Sequence, residues 1–96
     1  FTEHSEVNPQ FLPGSDTDEA TQTVWITELH LMNNTSTTRT VTVKDKQGTP
    51  VPLLKDIAID PGSEFHRKYT GMKMEGGFTW SASAADAIAV RCRYSR

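Results

Sequence analysis

The sequence predicts an all-β fold: a single antiparallel β-sandwich of six to seven strands with an extended N-terminal arm. Three observations support this. Residues 21–96 hold short stretches rich in β-branched and aromatic residues, separated by turn sequences such as KQGTP, DPGS and GMKMEGG. No stretch repeats its apolar residues at the helical period. The final strand alternates strictly, with Ile88, Val90, Cys92 and Tyr94 on one face and Ala89, Arg91, Arg93 and Ser95 on the other. The expected division is an arm over 1–20 and a sandwich over 21–96.

Taken in order, TVWITELHLMN is the first strand of the body. It lacks Gly and Pro. Strict alternation would place Val24, Ile26, His30 and Met32 on one side and Trp25, Leu29 and Leu31 on the other. NNTSTT is a polar turn. RTVTVKD turns Val41 and Val43 inward. Leu53, Leu54, Ile57 and Ile59 form the next strand, and the intervening Lys55-Asp56 marks a bulge. DPGS is a Pro-Gly turn. SEFHRKYT puts Phe65, Arg67 and Tyr69 opposite Glu64, His66 and Lys68. FTWSAS brings Phe78 and Trp80 to one face, and AADA leads into the final strand.

Charge is unevenly spread along the 96 residues. The first 20 carry five acids and no Lys or Arg; the remainder carries ten basic and seven acidic residues. Phe1, Val7, Phe11 and Leu12 stand among the acids and prolines of the leading segment, where a solvated linker would not need them. They are candidate anchors of an arm docked on its own body or on a neighbour. A body lacking residues 1–20 is then expected to fold alone. A modest core, 35% hydrophobic residues and strands apolar on both faces favour a homo-oligomer or a lattice-bound subunit.

Sequence signals for chemistry are sparse. His4, His30 and His66 have no metal-ligand spacing, and no CxxC or HExxH occurs, so no metal or other cofactor is expected. No nucleophile elbow is present, and Asp56 and Asp60 read as solvated carboxylates. Gly76-Gly77 is a turn and not a phosphate loop. No catalytic residue can be named, and no enzymatic activity is expected. The single cysteine, Cys92, reads as a small buried hydrophobe. Two overlapping glycosylation sequons in Asn33-Asn34-Thr35-Ser36 read as turn chemistry, because the start of the chain shows neither a basic nor an apolar leader region. No apolar run reaches membrane-spanning length, so no membrane partner is expected. An acidic balance with a net charge of −2 argues against a nucleic-acid partner. Arg91 and Arg93, with Arg67, are candidate protein contacts through partner carboxylates.

The stretches LHLMNNTSTTRTVTV, GTPVPLL, IAIDPGSEF and above all SASAADAIAVRCRY resemble a small β-sandwich domain common among tailed-bacteriophage virion proteins. The resemblance runs from Ile26 to Tyr94. It implies a non-enzymatic structural role in the virion, as a capsid decoration (cement) protein that self-associates or binds the major capsid protein or other virion proteins. Arg91 and Arg93 depart from the more neutral ending of the fibre-type relatives. The alternative is a tail fibre or neck accessory, or a glycan-binding module with Trp25, Trp80 or Tyr69 as a stacking platform.

Overall fold

A computed structural model describes the backbone of residues 4–96 and the side chains from residue 10 onward. Eight strands form two four-stranded antiparallel sheets packed face to face. They are β1 (His4–Phe11), β2 (Thr17–Ala20), β3 (Val24–Asn33), β4 (Arg39–Asp45), β5 (Pro52–Ile59), β6 (Glu64–Met74), β7 (Phe78–Ala82) and β8 (Ile88–Ser95). The first sheet has the order β1-β8-β3-β6 and the second β2-β7-β4-β5. The β-sandwich expected from the sequence is the fold observed, with eight strands in place of six or seven.

The two additional strands come from the leading segment. β1 pairs antiparallel with β8, and β2 with β7. Between them Leu12 and Pro13 cross from one sheet to the other. The Leu12 amide donates to the Ile88 carbonyl at 2.8 Å, and the Ala82 amide donates to the Pro13 carbonyl at 2.9 Å. Leu12 is fully buried. Its expected role as an intermolecular anchor is therefore corrected: it packs into the core of its own chain. The segment is extended, as its prolines suggest, but its unpaired backbone groups are met by the edges of both sheets rather than by a neighbour.

Two bulges reset the phase of the strands. β3 carries one residue more than β8 between Ile26 and Glu28, and β6 shifts register at the same place. The extra residue is Thr27, whose hydroxyl donates to the Arg93 carbonyl at 3.3 Å. Val24 and Ile26 before the bulge, and Leu29 and Leu31 after it, all turn inward and are fully buried. The strict alternation expected for this strand is thereby corrected: His30 and Met32 leave the group of Val24 and Ile26, and Leu29 and Leu31 leave that of Trp25. The second bulge is the one expected at Lys55-Asp56. Asp56 has φ +49°, and the Thr42 hydroxyl accepts from its amide at 3.1 Å. Leu54 and Ile59, five positions apart, consequently both reach the core.

The core lies between the sheets. Ile88, Val90, Cys92 and Tyr94 of β8 meet Val41, Val43, Phe78 and Trp80 of the second sheet. Phe78 is the centre of an aromatic cluster, edge-on to Trp80 at 5.5 Å and to Tyr94 at 5.6 Å between ring centroids. Burial of Trp80 removes it from any exposed sugar platform.

One end of the sandwich is tied by Asn33. Its side-chain amide donates to the Ile59 carbonyl at 2.8 Å and to the Thr37 carbonyl at 2.9 Å. Its Oδ1 accepts from the Thr35 amide at 3.0 Å. Asn33 is completely buried, so the first sequon is consumed by structure and only Asn34 is exposed. At the other end Gly77 has φ +106°, and a Cβ there would stand 2.0 Å from the Ala20 carbonyl oxygen. Only glycine permits that approach of β7 to the end of β2.

Asn33→Ala takes the side-chain donor from the buried Ile59 carbonyl and one of two donors from the Thr37 carbonyl, and is expected to cost about 2 kcal/mol in urea unfolding, whereas Asn34→Ala should change stability by less than about 0.5 kcal/mol. Deleting residues 1–20 removes two strands and Leu12 from the core. Loss of a cooperative unfolding transition is expected, measured by circular dichroism on heating.

Candidate functional site

The alternation of β8 that buries Val90 and Cys92 also turns Arg91 and Arg93 out of the first sheet. β3 and β6 bring further ionisable groups to that face. Register places Arg91 opposite His30 and His30 opposite His66, making one cross-strand row. The adjacent row runs from Arg93 through Glu28 to Lys68. On the other side, Ala89 pairs with Met32 and Met32 with Glu64. Residues opposite one another across antiparallel strands share a face and touch, so these rows are physical neighbours.

The imidazoles of His30 and His66 lie 4.8 Å apart between centroids. Each is held by a carboxylate from the other strand. His66 Nε2 is 2.6 Å from Glu28 Oε2, and His30 Nε2 is 3.4 Å from Glu64 Oε1. The second contact lies at ion-pair distance without hydrogen-bond geometry, and His30 Nε2 is a buried atom with no hydrogen-bond partner. The His66 hydrogen bond holds the Glu28 carboxyl below the usual carboxylate range against the opposing effect of burial, helped by the charges of His66, Lys68 and Arg93. Glu28, His30, His66, Arg91, Cys92 and Arg93 line a cleft of about 220 Å³.

Cys92 is not a nucleophile here. Burial first, then the charges of Glu19 and Glu28, push its thiol up to about 12. Among the described residues no group of three or more His, Cys, Asp or Glu side chains is arranged to hold a metal. No helix among them is long and apolar enough to cross a membrane.

The candidate contact residues are divided by the structure. Arg91 and Arg93 are together and exposed. Phe11 is 54% exposed and lies opposite Ala89, so it shares their face. Arg67 does not join them: it pairs with the inward-facing Leu29, and its guanidinium lies 5.0 Å from the centroid of the Phe65 ring at the rim of the core. Phe1 and the side chain of Val7 lie outside the described residues. Glu28, His30 and His66 were not singled out by sequence as members of one site, because only the register unites them.

A second, wider concavity of about 530 Å³ occupies the outer face of the other sheet. Asp16, Thr42, Lys44, Lys55, Asp56 and Ser81 contribute to it. Lys44 Nζ of β4 lies 2.7 Å from Asp16 Oδ2, just ahead of β2.

Because Glu28 ionises more readily when folded, its contribution to stability is present above the unfolded carboxylate pKa and disappears as pH falls through the lower folded value. A carbon-detected NMR titration should find the Glu28 midpoint below the ordinary glutamate range. His66→Asn should raise it. No family model, curated protein or solved structure matches the chain.

Proposed function

We propose that this chain is a non-enzymatic structural protein of a tailed-bacteriophage virion, a capsid decoration (cement) protein that binds neighbouring subunits through the outer face of its first sheet. The observation that carries this reading is the composition of that face. Phe11 and Met32 lie beside Arg91 and Arg93 on one four-stranded sheet. Apolar anchors next to arginines on a rigid support are the features of a protein contact surface. The sequence resemblance supports the same reading.

The surface contact replaces the projecting arm as the mode of attachment. With β1 and β2 built into the sandwich, the leading segment contributes Phe11 to the face and Leu12 to the core. The partner is a second copy, the major capsid protein or another virion protein, and it would offer carboxylates to Arg91 and Arg93.

A second reading, a recognition module on a tail fibre or neck, draws on the polar concavity of the second sheet. Its hydroxyls, carboxylates and lysines are groups that can orient a saccharide. Saturable binding on a glycan array, lost in Asp56→Ala, would favour it over the decoration role.

Purified particles from an infected or lysogenic host test the first reading. Mass spectrometry should find the chain in them, and particle imaging should place it on the head exterior. Arg91→Glu with Phe11→Ser should leave thermal unfolding near that of the parent while reducing occupancy at least about tenfold. Absence of the chain from purified particles overturns the proposal.

A further inference from the structure

We infer that the outer edge of β6 is a self-association site: two copies of this chain pair antiparallel along residues 64–68, about a two-fold axis at His66, and their first sheets become one continuous sheet. The inference concerns a sheet edge rather than the face of Phe11 and Arg91, and it does not depend on a virion role.

Two open sheets have four edge strands, and an edge exposes amides and carbonyls that can template another strand. Three of the four are interrupted here. β1 contains Pro9 and shifts register between Val7 and Gln10. β2 is only four residues long. β5 opens on Pro52 and is broken by the bulge at Asp56. β6 is the longest of the eight strands, and its register with β3 is unbroken from Met32–Glu64 to Glu28–Lys68. The regular ladder stops beyond Lys68, where the register shifts and Gly71 has φ +112°. Among the described residues no strand lies on the far side of β6, and residues 60–64 and 66–68 are exposed.

The direction of the free groups follows from the register. The Asn33 amide donates to the Ser63 carbonyl at 3.0 Å. Hydrogen-bonded and non-hydrogen-bonded pairs alternate along an antiparallel ladder, so Phe65 and Arg67 bond to β3. The amides and carbonyls of Glu64, His66 and Lys68 therefore point to the open edge. An antiparallel pair centred on His66 sets His66 against His66 and Glu64 against Lys68, and every one of those groups gains a partner.

The side chains select the same register. Glu64 of each copy meets Lys68 of the other on the outer face, twice over by symmetry. On the opposite face Phe65 meets Arg67 of the second copy; within one chain that guanidinium already lies 5.0 Å from the Phe65 ring centroid. At the axis each His66 keeps its own Glu28 carboxylate at 2.6 Å. Sliding one copy by a full pleat separates Glu64 from Lys68. Sliding it by another sets Glu64 against Glu64 or Lys68 against Lys68, which is repulsive. The sequence E-F-H-R-K of residues 64–68 is thus complementary to itself when reversed, and the occupant it fits is a second copy of this chain.

Sedimentation of the full chain should show a concentration-dependent equilibrium between monomer and dimer. Amide exchange followed by NMR on the unaltered protein locates the contact. The amides of Glu64, His66 and Lys68 should exchange freely when dilute and at least about tenfold more slowly where the dimer is populated, while those of Phe65 and Arg67 stay protected throughout. Glu64→Lys and Lys68→Glu, each confirmed as folded by circular dichroism, should separately weaken self-association at least about tenfold. An equimolar mixture of the two should dimerise again, because the mixed pair sets acid against base at both positions. A monomer at every concentration, or a dimer that leaves those edge amides unprotected, overturns the inference without need of any variant. So do folded single variants that associate as tightly as the parent, or a mixture of them that stays monomeric.

Discussion

Thr27 is the residue on which both the interior and the exterior of the first sheet depend. A central strand with apolar residues at 24, 26, 29 and 31 cannot bury all four at a period of two. One inserted residue solves this, at the cost of a local break in the hydrogen-bond ladder. The Thr27 hydroxyl compensates in part by donating to the Arg93 carbonyl. The same insertion decides what faces outward. Without it, Leu29 and Leu31 would stand in solvent while Glu28 and His30 were forced into the core, where unpaired charge is costly. The core and the charged outer face are therefore two results of one irregularity.

The rest of the molecule holds that sheet against the opposite one. Asn33 fastens the end of β3 to β5 of the opposite sheet. Phe78, wedged between Trp80 and Tyr94, sets the spacing between sheets. Leu12 closes the gap where the chain passes from one layer to the other. These are apolar and hydrogen-bonding devices with no part in the charge pattern outside. The separation allows Arg91 to be changed with little effect on folding, since solvent-facing side chains on a well-packed sheet contribute little to stability.

Much of this was legible in the sequence, and the reasons differ by element. β8 was clear because its alternation is unbroken from Ile88 to Tyr94, so Arg91 and Arg93 fell outside without ambiguity; Ser95, grouped with them by the alternation, is instead fully buried. The bulge of β5 was signalled by a polar pair inside an apolar strand. That of β3 had no Gly, Pro or polar pair to mark it; the only trace is the two-three-two spacing of Val24, Ile26, Leu29 and Leu31. β1 and β2 were hidden because Pro9 and Pro13 interrupt any period, and the need of two sheet edges for partners is not a local property. The histidine pair was invisible for a related reason. His30 and His66 are 36 positions apart, and only the β3–β6 register makes them neighbours.

The pairing of β1 with β8 has a geometric corollary. His4 lies opposite Ser95, so the two ends of the described chain emerge side by side at one corner of the sandwich. A short linker could join them, and the polypeptide could be reopened in the solvent-exposed turn at Gly48, where nothing crowds the backbone. A circular permutant of that kind would keep every strand in place while moving the point of attachment for a fused passenger from one corner of the molecule to another.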